Sequence, residues 1–400
     1  MRRLAALALL ALAAGAASAA AAPSTSPGLE RALHGALASA DLDARRTAVL
    51  AVDLGSGQTV FELNADRPLA PASLEKLAVS FAALRVLGPS HRFRTDLVGA
   101  GRQAGPVWRG HLFLVGYGDP TLARSDLERL ARAVAARGIR TVTGSVVGDD
   151  GYFDARRDAP GWKPTFLGNE ARPLSALAVE GIRVPRANAS ALVAARALAG
   201  ALRRQGVAVA GSARVGHAPA RTLLLARDRS EPLAALVRRM NADSDNFVAE
   251  LVLKELGTTV AERGSSAAGA RVVRAVLAGV GVPLAGVRIA DGSGLSRFDR
   301  LTARSLVAIL RAAWADPERR QTFVSSLAVA GLSGTLRSRL TAPATRGRVR
   351  AKTGTTSRAC TLAGYVGRRY AFAIIHNGRP VATWSSRSAQ DRFVTVLARA

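Results

Sequence analysis

The strand-like segments at the two ends of the chain constrain its fold most. Residues 47–54 and 58–63 form two apolar strand candidates joined by a glycine turn, and three more strand candidates follow one another within 349–377. A helical pattern at 29–38 precedes the first pair, and another at 386–399 follows the last three. This arrangement predicts one antiparallel sheet built from both chain ends, with the terminal helices covering one of its faces. The predicted fold class is therefore α+β.

The stretch between these ends has a different pattern. Residues 96–186 contain short apolar runs separated by glycine turns, with one helix candidate at 125–138. This mixture predicts a smaller α+β domain inserted into a larger unit. The larger unit is then formed by residues 23–95 and 187–400, and helical patterns dominate its sequence after the insertion.

The first residues have the pattern of a secretory leader. A positive start at 1–3 is followed by an apolar run at 4–14 and by the small residues Ala-Ser-Ala at 17–19. The apolar run is too short to span a bilayer, so we expect residues 1–22 to be a signal peptide that is removed on export. No later stretch reaches the roughly 18 apolar residues of a membrane span. The sequence thus predicts an exported protein without a membrane span, and it leaves a periplasmic and an extracellular location open.

The charge of the chain is strongly basic, with a formal net charge of +27. Such a charge attracts anionic partners. The arginines, however, are spread along the chain singly or in pairs, with few aromatic residues between them. Nucleic-acid sites instead combine a basic stripe with a recognisable module. The sequence therefore predicts no nucleic-acid partner.

The histidines and the cysteine do not indicate metal-dependent chemistry. The five histidines form no His-Glu-x-x-His pattern, and the chain has no Gly-x-Ser-x-Gly elbow. A zinc peptidase and a Ser-His-Asp hydrolase are both disfavoured on these grounds, and we expect no metal and no cofactor. Cys360, the only cysteine, lies in the apolar run CTLAGYV, which predicts a buried strand position.

One serine and one lysine stand out because lysine is scarce in this chain. Only four of the 56 basic residues are lysines, and Lys76 follows Ser73 by three residues in the segment PASLEKL. Lysine can lose its proton when it is buried or crowded by another cation, whereas arginine cannot. Ser73 and Lys76 are therefore candidates for a nucleophile and its base. The alternative interpretation is a helix start followed by a solvated lysine.

Two further short patterns follow in order along the chain. The segment MNADSDNFVAE holds Ser-Asp-Asn at 244–246, and RAKTGTT holds Lys-Thr-Gly at 352–354. Each pattern is weak alone, since serine, aspartate and asparagine are favoured at helix N-caps. Together with Ser-x-x-Lys they are the motifs of penicillin-binding proteins and β-lactamases. Their separation leaves room for three walls of one cleft.

With these motifs the chain resembles the serine D-alanyl-D-alanine carboxypeptidase/endopeptidase family, the class C low-molecular-mass penicillin-binding proteins of peptidase family S13. The resemblance covers nearly all of the chain after the leader and includes the segments LFLVGYGDPTL, GDDGYFD, DGSGLSR and AGLSGTLRSR. It implies a transpeptidase core of the β-lactamase type with an inserted domain. It also implies acyl transfer through a serine ester, with peptidoglycan stem peptides and β-lactams as partners and D-alanine as the first product.

The catalytic roles follow from the residue types in the three motifs. Ser73 attacks the substrate carbonyl, and Lys76 accepts its proton. For Lys76 to do so near neutral pH its pKa must be lowered, and we expect the positive charge of Lys352 to lower it. Ser244 can relay the proton to the leaving amine.

The substrate-binding roles fall on the same motifs. Asn246 can hydrogen-bond the peptide of the substrate, and Thr353 and Gly354 on an edge strand can pair with an extended substrate backbone. Thr353 or Thr355 can bind the terminal carboxylate. The resemblance also implies that the N–H of Thr355 is the second oxyanion donor, beside the N–H of the nucleophile.

Two other functions remain open on the same motifs. One is a β-lactamase or esterase on the same fold, and the other is a cell-wall-binding protein with a silent site. A β-lactamase needs a base that directs water at the acyl ester, and Glu250, Glu255 and Glu262 are not placed in a loop suited to that role. The sequence leaves the balance of carboxypeptidase and endopeptidase activity, and the oligomeric state, undetermined.

Overall fold

The computed structural model describes residues 27–39, 41–182, 184 and 186–400. The signal peptide predicted over 1–22 lies outside these residues. In the part of the chain that is described, no helix is both long enough and apolar enough to cross a membrane.

The described residues form an α+β structure. The helices are α1 (Pro27–Leu37), α2 (Glu75–Val86), α3 (Arg124–Ala136), α4 (Ser190–Arg204), α5 (Leu233–Ala242), α6 (Asn246–Ala261), α7 (Ser266–Gly279), α8 (Ala303–Ala315), α9 (Arg320–Ser325) and α10 (Thr383–Arg399). The strands are β1 (Thr47–Asp53), β2 (Thr59–Leu63), β3 (Arg94–Ala104), β4 (Val107–Gly116), β5 (Thr141–Val142), β6 (Val146–Asp149), β7 (Ala208–Val209), β8 (Arg214–Val215), β9 (Leu223–Arg229), β10 (Ala328–Val329), β11 (Val349–Thr355), β12 (Ala359–Val366) and β13 (Tyr370–Asn377).

The first sheet joins the two ends of the chain, as predicted. Its six strands lie in the order β10-β11-β12-β13-β1-β2, and every neighbouring pair is antiparallel. The central pairing of β1 with β13 runs from Thr47 opposite His376 to Asp53 opposite Tyr370. Cys360 is buried on β12, which confirms the strand position predicted from its apolar surroundings.

Both faces of the first sheet are covered by helices. Alternate residues of a strand point to opposite faces. Ile374 of β13 accordingly packs with Phe393 and Leu397 of α10, whereas its neighbours Ala373 and Ile375 pack in the cluster that includes α2, α5, α6, α7 and α8. The terminal helices α1 and α10 thus cover one face, as the sequence predicted, and α2 lies inside the molecule on the other.

The second sheet extends further along the chain than the sequence predicted. Strands β7, β5, β4, β3 and β9 follow one another in it, and β6 pairs with β4 and with β8. Helices α3 and α4 bury their apolar residues on it. The predicted inserted domain, 96–186, was therefore too short, because β7 to β9, up to Arg229, also belong to this sheet and α4 packs on it. The first-sheet region then resumes after 229 rather than at 187.

Candidate active site

Ser73 lies in a 3₁₀ turn, Ala72–Leu74, directly before α2. Ala72 has a φ of 48°, a left-handed conformation that non-glycine residues seldom adopt. A Cβ atom at Gly294 would lie 1.9 Å from the carbonyl oxygen of Ala72, so only glycine allows this approach. Helix α2 is buried on all sides from Glu75 to Leu84. The serine is therefore held at the start of an internal helix. The residues packed around it maintain the unusual backbone conformation of the turn.

Lys76 reaches Ser73 from the first turn of α2. Its side chain is fully buried, and its Nζ lies 3.0 Å from Ser73 Oγ. Nζ also donates to Asn246 Oδ1 at 2.8 Å and to the carbonyl oxygen of Ser293 at 2.6 Å. These two oxygens can only accept hydrogen bonds. A neutral Lys76 therefore donates both of its N–H groups to these oxygens, and its lone pair is directed at the hydroxyl of Ser73.

The orientation of the Asn246 amide supports this assignment. Its Nδ2 donates to the carbonyl oxygen of Glu170 at 2.9 Å. Because a carbonyl cannot donate, this bond fixes which end of the amide is nitrogen and leaves Oδ1 facing Lys76.

Burial lowers the pKa of Lys76 to about 8, and it is the largest cause of that shift. The carboxylates of Asp291, Glu250, Asp245 and Glu75 act in the opposite direction. From the sequence we expected the charge of Lys352 to lower the pKa of Lys76, but removal of Lys76 from water is the dominant cause. Burial also lowers the pKa of Lys352 well below its usual value, and the positive charge of Lys76 lowers it further.

Strand β11 carries the Lys-Thr-Gly motif against the serine turn. Lys352 is buried and its Nζ donates to the carbonyl oxygen of Thr353 at 2.8 Å. A Cβ atom at Gly354 would lie 2.8 Å from the backbone nitrogen of Ser73. Glycine is therefore required for the strand to approach Ser73 this closely. Within the described residues, the pairing of β10 with β11 covers only 350–351, so the motif itself lies on an open strand edge.

Ser244 and Asn246 lie where α5 gives way to α6. Ser244 has a φ of 64°, in the left-handed region. Asp245 caps α6 by accepting a hydrogen bond from the N–H of Val248 at 3.0 Å. This cap starts α6 at Asn246 and so places Asn246 beside Lys76, with Ser244 in the turn immediately before it.

The loop 291–296 is a part of the site that sequence reasoning did not assign. Asp291 accepts hydrogen bonds from Trp162 Nε1 at 2.8 Å, from Gly294 N at 2.7 Å and from Ser296 N at 2.8 Å. These bonds shape the loop that presents the Ser293 carbonyl to Lys76. The only available signal was the segment DGSGLSR, since a backbone carbonyl leaves no trace in residue identity.

A cavity of about 710 Å³ opens beside the serine turn, and Ala72, Gly294 and Thr355 are part of its lining. Glu170 is the one acidic residue on the described lining. The basic residues of the lining are Arg46, Lys163, Arg297, Arg300, Arg358 and Arg379. The cavity therefore has an excess of positive charge next to the candidate nucleophile.

None of the three glutamates considered as a base that directs water at the acyl ester has surroundings suited to that role. Glu250 is fully buried, and its Oε1 accepts hydrogen bonds from the N–H groups of Gly292 at 3.0 Å and Ser293 at 2.8 Å. Glu255 faces Tyr152 across 3.5 Å, and Glu262 is the residue at which α6 ends.

Comparison with solved structures identifies the fold. The crystal structure of penicillin-binding protein 4 from Haemophilus influenzae superposes with a TM-score of 0.81 over 92% of this chain and 98% of that one, at 22% identity. This likeness confirms the predicted α+β fold of the transpeptidase type.

Comparison of sequences identifies the family. A D-alanyl-D-alanine carboxypeptidase of Actinomadura sp. is 33% identical, over 84% of this chain and 78% of the relative. A carboxypeptidase of Mycobacterium tuberculosis is 32% identical, over 94% of this chain and 85% of the relative. Residues 29–185 and 174–400 match the D-Ala-D-Ala carboxypeptidase 3 (S13) family. On the strength of both matches, the chain belongs to this S13 peptidase family, as the resemblance of its motifs predicted.

Proposed function

We propose that this protein is a serine D-alanyl-D-alanine carboxypeptidase that acts on peptidoglycan stem peptides through an acyl-enzyme on Ser73. The observation that carries the proposal is the contact of Lys76 Nζ with Ser73 Oγ, with the other two partners of the amine restricted to accepting. Family membership supports the reaction class, and this geometry supports the identity of the nucleophile and its base.

Acylation begins when Ser73 Oγ attacks the carbonyl carbon of the penultimate D-alanine. The proton of the hydroxyl passes to the lone pair of Lys76 Nζ, and the carbonyl oxygen becomes an oxyanion. We assign its stabilisation to the N–H groups of Ser73 and Thr355, at the place where Gly354 lets β11 approach the serine turn.

The tetrahedral intermediate then collapses to the ester. The bond to the terminal D-alanine breaks, and its nitrogen takes up a proton that Ser244 relays from Lys76. The position of Ser244 two residues before Asn246, which contacts Lys76, supports this role. Water then hydrolyses the ester and restores the Ser73 hydroxyl.

The substrate lies extended along β11. The part of the strand at Thr353 and Gly354 that β10 leaves uncovered offers its backbone to the peptide. Asn246 orients the peptide from the opposite wall, and Thr353 or Thr355 receives the terminal carboxylate. The basic lining of the cavity suits the carboxylates that stem peptides carry.

β-Lactams acylate the same serine, and the resulting ester persists. The leaving amine of a penicillin stays attached to the acyl group and obstructs water, whereas D-alanine diffuses away. Slow hydrolysis is supported by the buried, hydrogen-bonded position of Glu250, by the contact of Glu255 with Tyr152 and by the position of Glu262 at the end of α6. We also infer that the protein acts after export, because its substrate lies outside the cytoplasm and its first residues have the pattern of a leader.

Two measurements on the purified protein test the proposal. D-Alanine release from a peptide ending in D-Ala-D-Ala should proceed with turnover, while penicillin should leave one covalent adduct on the peptide that carries Ser73, stable for minutes or longer. Rapid multiple turnover of penicillin without release of D-alanine would instead favour the β-lactamase alternative. No reaction with either compound would favour a binding protein with a silent site.

A further inference from the structure

Four carboxyl groups lie buried around Lys76. Glu75 on α2, Glu250 on α6, and Asp291 and Asp299 between α7 and α8 each have a relative exposure of 0%. Buried carboxylates are costly unless a charge or hydrogen bonds compensate them. Within the described residues, no group of three or more acidic, histidine or cysteine side chains is arranged to hold a metal ion. The negative charge must therefore be balanced by Lys76 and by protons.

The hydrogen bonds distinguish Asp291 from the other three carboxyl groups. Asp291 accepts from Trp162 Nε1, from Ser293 Oγ and from two backbone N–H groups. Since all of these partners donate, the site suits a carboxylate that accepts on both oxygens.

The other three carboxyl groups each leave at least one oxygen without a partner. Both oxygens of Glu75, Oε2 of Glu250 and Oδ2 of Asp299 are buried and lack a hydrogen-bond partner among the described residues. Burial, and then the charge of Asp291, raise the pKa of Glu250 to about 8 and raise the pKa of Glu75 and Asp299 well above their usual values. Burial and the missing hydrogen-bond partners thus both favour the protonated form of these three, and Asp291 is the carboxyl of the cluster whose surroundings best suit a negative charge.

Glu250 is connected to Lys76 through one residue, Ser293, whose N–H and carbonyl belong to successive peptide units. Its Oε1 receives the N–H groups of Gly292 and Ser293, and the carbonyl oxygen of the same Ser293 receives Lys76 Nζ at 2.6 Å. We propose that Glu250 is a positioning residue that holds this carbonyl in place and that, by staying protonated, allows Lys76 to give up its proton to become the base. The inference rests on the function proposed above and adds a residue to it.

The charges around Lys76 set the direction of the effect. The groups that act on Lys76 are Glu75 of α2, Asp245 at the N-cap of α6, Glu250 of α6 and Asp291 of the loop before α8, and Lys352 of β11 lies close enough to feel its charge. Asp299, in the same loop as Asp291, interacts with Asp291 and Glu75. Ionisation of Glu250 adds a negative charge, which favours the protonated form of Lys76 and raises its pKa. Because Lys76 and Glu250 titrate in the same range, each proton lost by one holds the proton of the other more firmly.

The test is the pH dependence of acylation in the Glu250→Gln variant. Glutamine keeps the oxygen that accepts the two N–H groups but can never ionise. The rate constant for acylation by a fluorescent penicillin is measured from about pH 6 to pH 10. We expect the midpoint of its rise to move to lower pH by about one unit, since a nearby negative charge has been removed.

The matched control is Glu255→Gln. Glu255 is a buried glutamate on the same helix whose pKa burial raises to about 7, but its neighbours are Tyr152 and His91. The control should keep the midpoint of the wild-type protein. An unchanged or raised midpoint in Glu250→Gln, or the same shift in both variants, would overturn the proposal. A wild-type protein that penicillin does not acylate at all would instead overturn the proposed function.

A second measurement uses the wild-type protein and so does not depend on whether a variant folds. Infrared spectra of the wild-type protein should show protonated carboxyl groups at pH 7 that titrate as the pH rises through about 8. If no protonated carboxyl is present at neutral pH, the proposal is wrong, whatever the Glu250→Gln variant does.

Discussion

Asp96 in the second sheet and Asp291 beside the serine turn are both buried carboxylates, but their partners differ in kind. Asp96 is held by Arg227 through two hydrogen bonds of 2.6 and 2.8 Å. Asp291 is held by backbone and side-chain donors, and the cation on which its charge acts is the buried Lys76. Arginine keeps its proton under all ordinary conditions, whereas a buried lysine can release it. One region therefore uses charge to hold its shape, and the other keeps a charge that can be removed.

The largest effect expected in this comparison comes from the nucleophile itself. Ser73→Ala should abolish both the penicillin adduct and D-alanine release, because Ser73 is the hydroxyl that Lys76 Nζ contacts in the described part of the chain. Intact-mass spectrometry after incubation with penicillin measures the adduct. An adduct that persists in the variant, on Ser244 or Cys360, would contradict the assignment.

Exchanging lysine and arginine in each region tests the comparison directly. Lys76→Arg keeps the positive charge but supplies no base, so acylation should slow by about 10²–10⁴-fold. Arg227→Lys loses the paired hydrogen bonds to Asp96 and should cost about 1 kcal/mol of unfolding free energy while leaving acylation unchanged. Equal activity of Lys76→Arg and the wild-type protein would reduce Lys76 to an electrostatic residue.

Adding one methyl group in each region gives a smaller contrast. Gly354→Ala places a Cβ atom against the backbone nitrogen of Ser73 and should slow acylation by about 10²-fold, because the oxyanion donors move apart. Gly200→Ala, inside α4, meets only the end of the Arg204 side chain at 3.4 Å. It should raise the unfolding free energy by about 0.5–1 kcal/mol with unchanged activity. An active Gly354→Ala variant would show that β11 can move away from the Ser73 turn without loss of acylation.

One carboxyl group departs from the pattern of its own region. Asp119, in the loop after β4, is 3% exposed, and its Oδ2 has no partner among the described residues. Burial raises the pKa of Asp119 to about 6. A carboxyl whose pKa is raised by folding stabilises the protein below its unfolded pKa, and this contribution is lost as the pH rises through about 6.

The unfolding free energy of the wild-type protein should therefore fall further between about pH 4 and pH 7 than that of the Asp119→Asn variant. The difference should be about 1–2 kcal/mol. Denaturant unfolding at the two pH values measures it. An identical pH dependence in the two proteins would mean that Asp119 ionises without cost in the folded state.

The first sheet could be predicted because its strands are recognisable from the sequence alone. Strands β1, β12 and β13 are long and apolar, and the rare lysines mark two of the three motifs next to them. The extent of the second sheet was missed because β7 and β8 have two residues each and β9 is rich in arginine. Such strands show no alternation of apolar and polar residues, and their pairing depends on tertiary contacts.

The parts of the site that escaped prediction are properties of the folded chain. The Ser293 contact uses a backbone carbonyl, which every residue has. The cause of the pKa shift of Lys76 was misassigned because burial is decided by the helices that enclose α2, which the local sequence does not reveal. The contact between Ser73 and Lys76 could be expected from the sequence, because a nucleophile and its base must be particular residue types at a fixed spacing.

The pairing of the chain ends also sets the order in which the parts of the molecule can be completed. Thr47 and His376 contact each other across 329 positions of sequence, whereas the second sheet closes within residues 94–229. Long-range strand pairing is slow to form, and domains are completed as their residues emerge from synthesis. Until β11 is in place, Ser73 lacks the strand that lies against its backbone nitrogen. We therefore expect the proposed reactivity toward penicillin to appear only with the last strands, so that its return during refolding would report the completion of the first sheet.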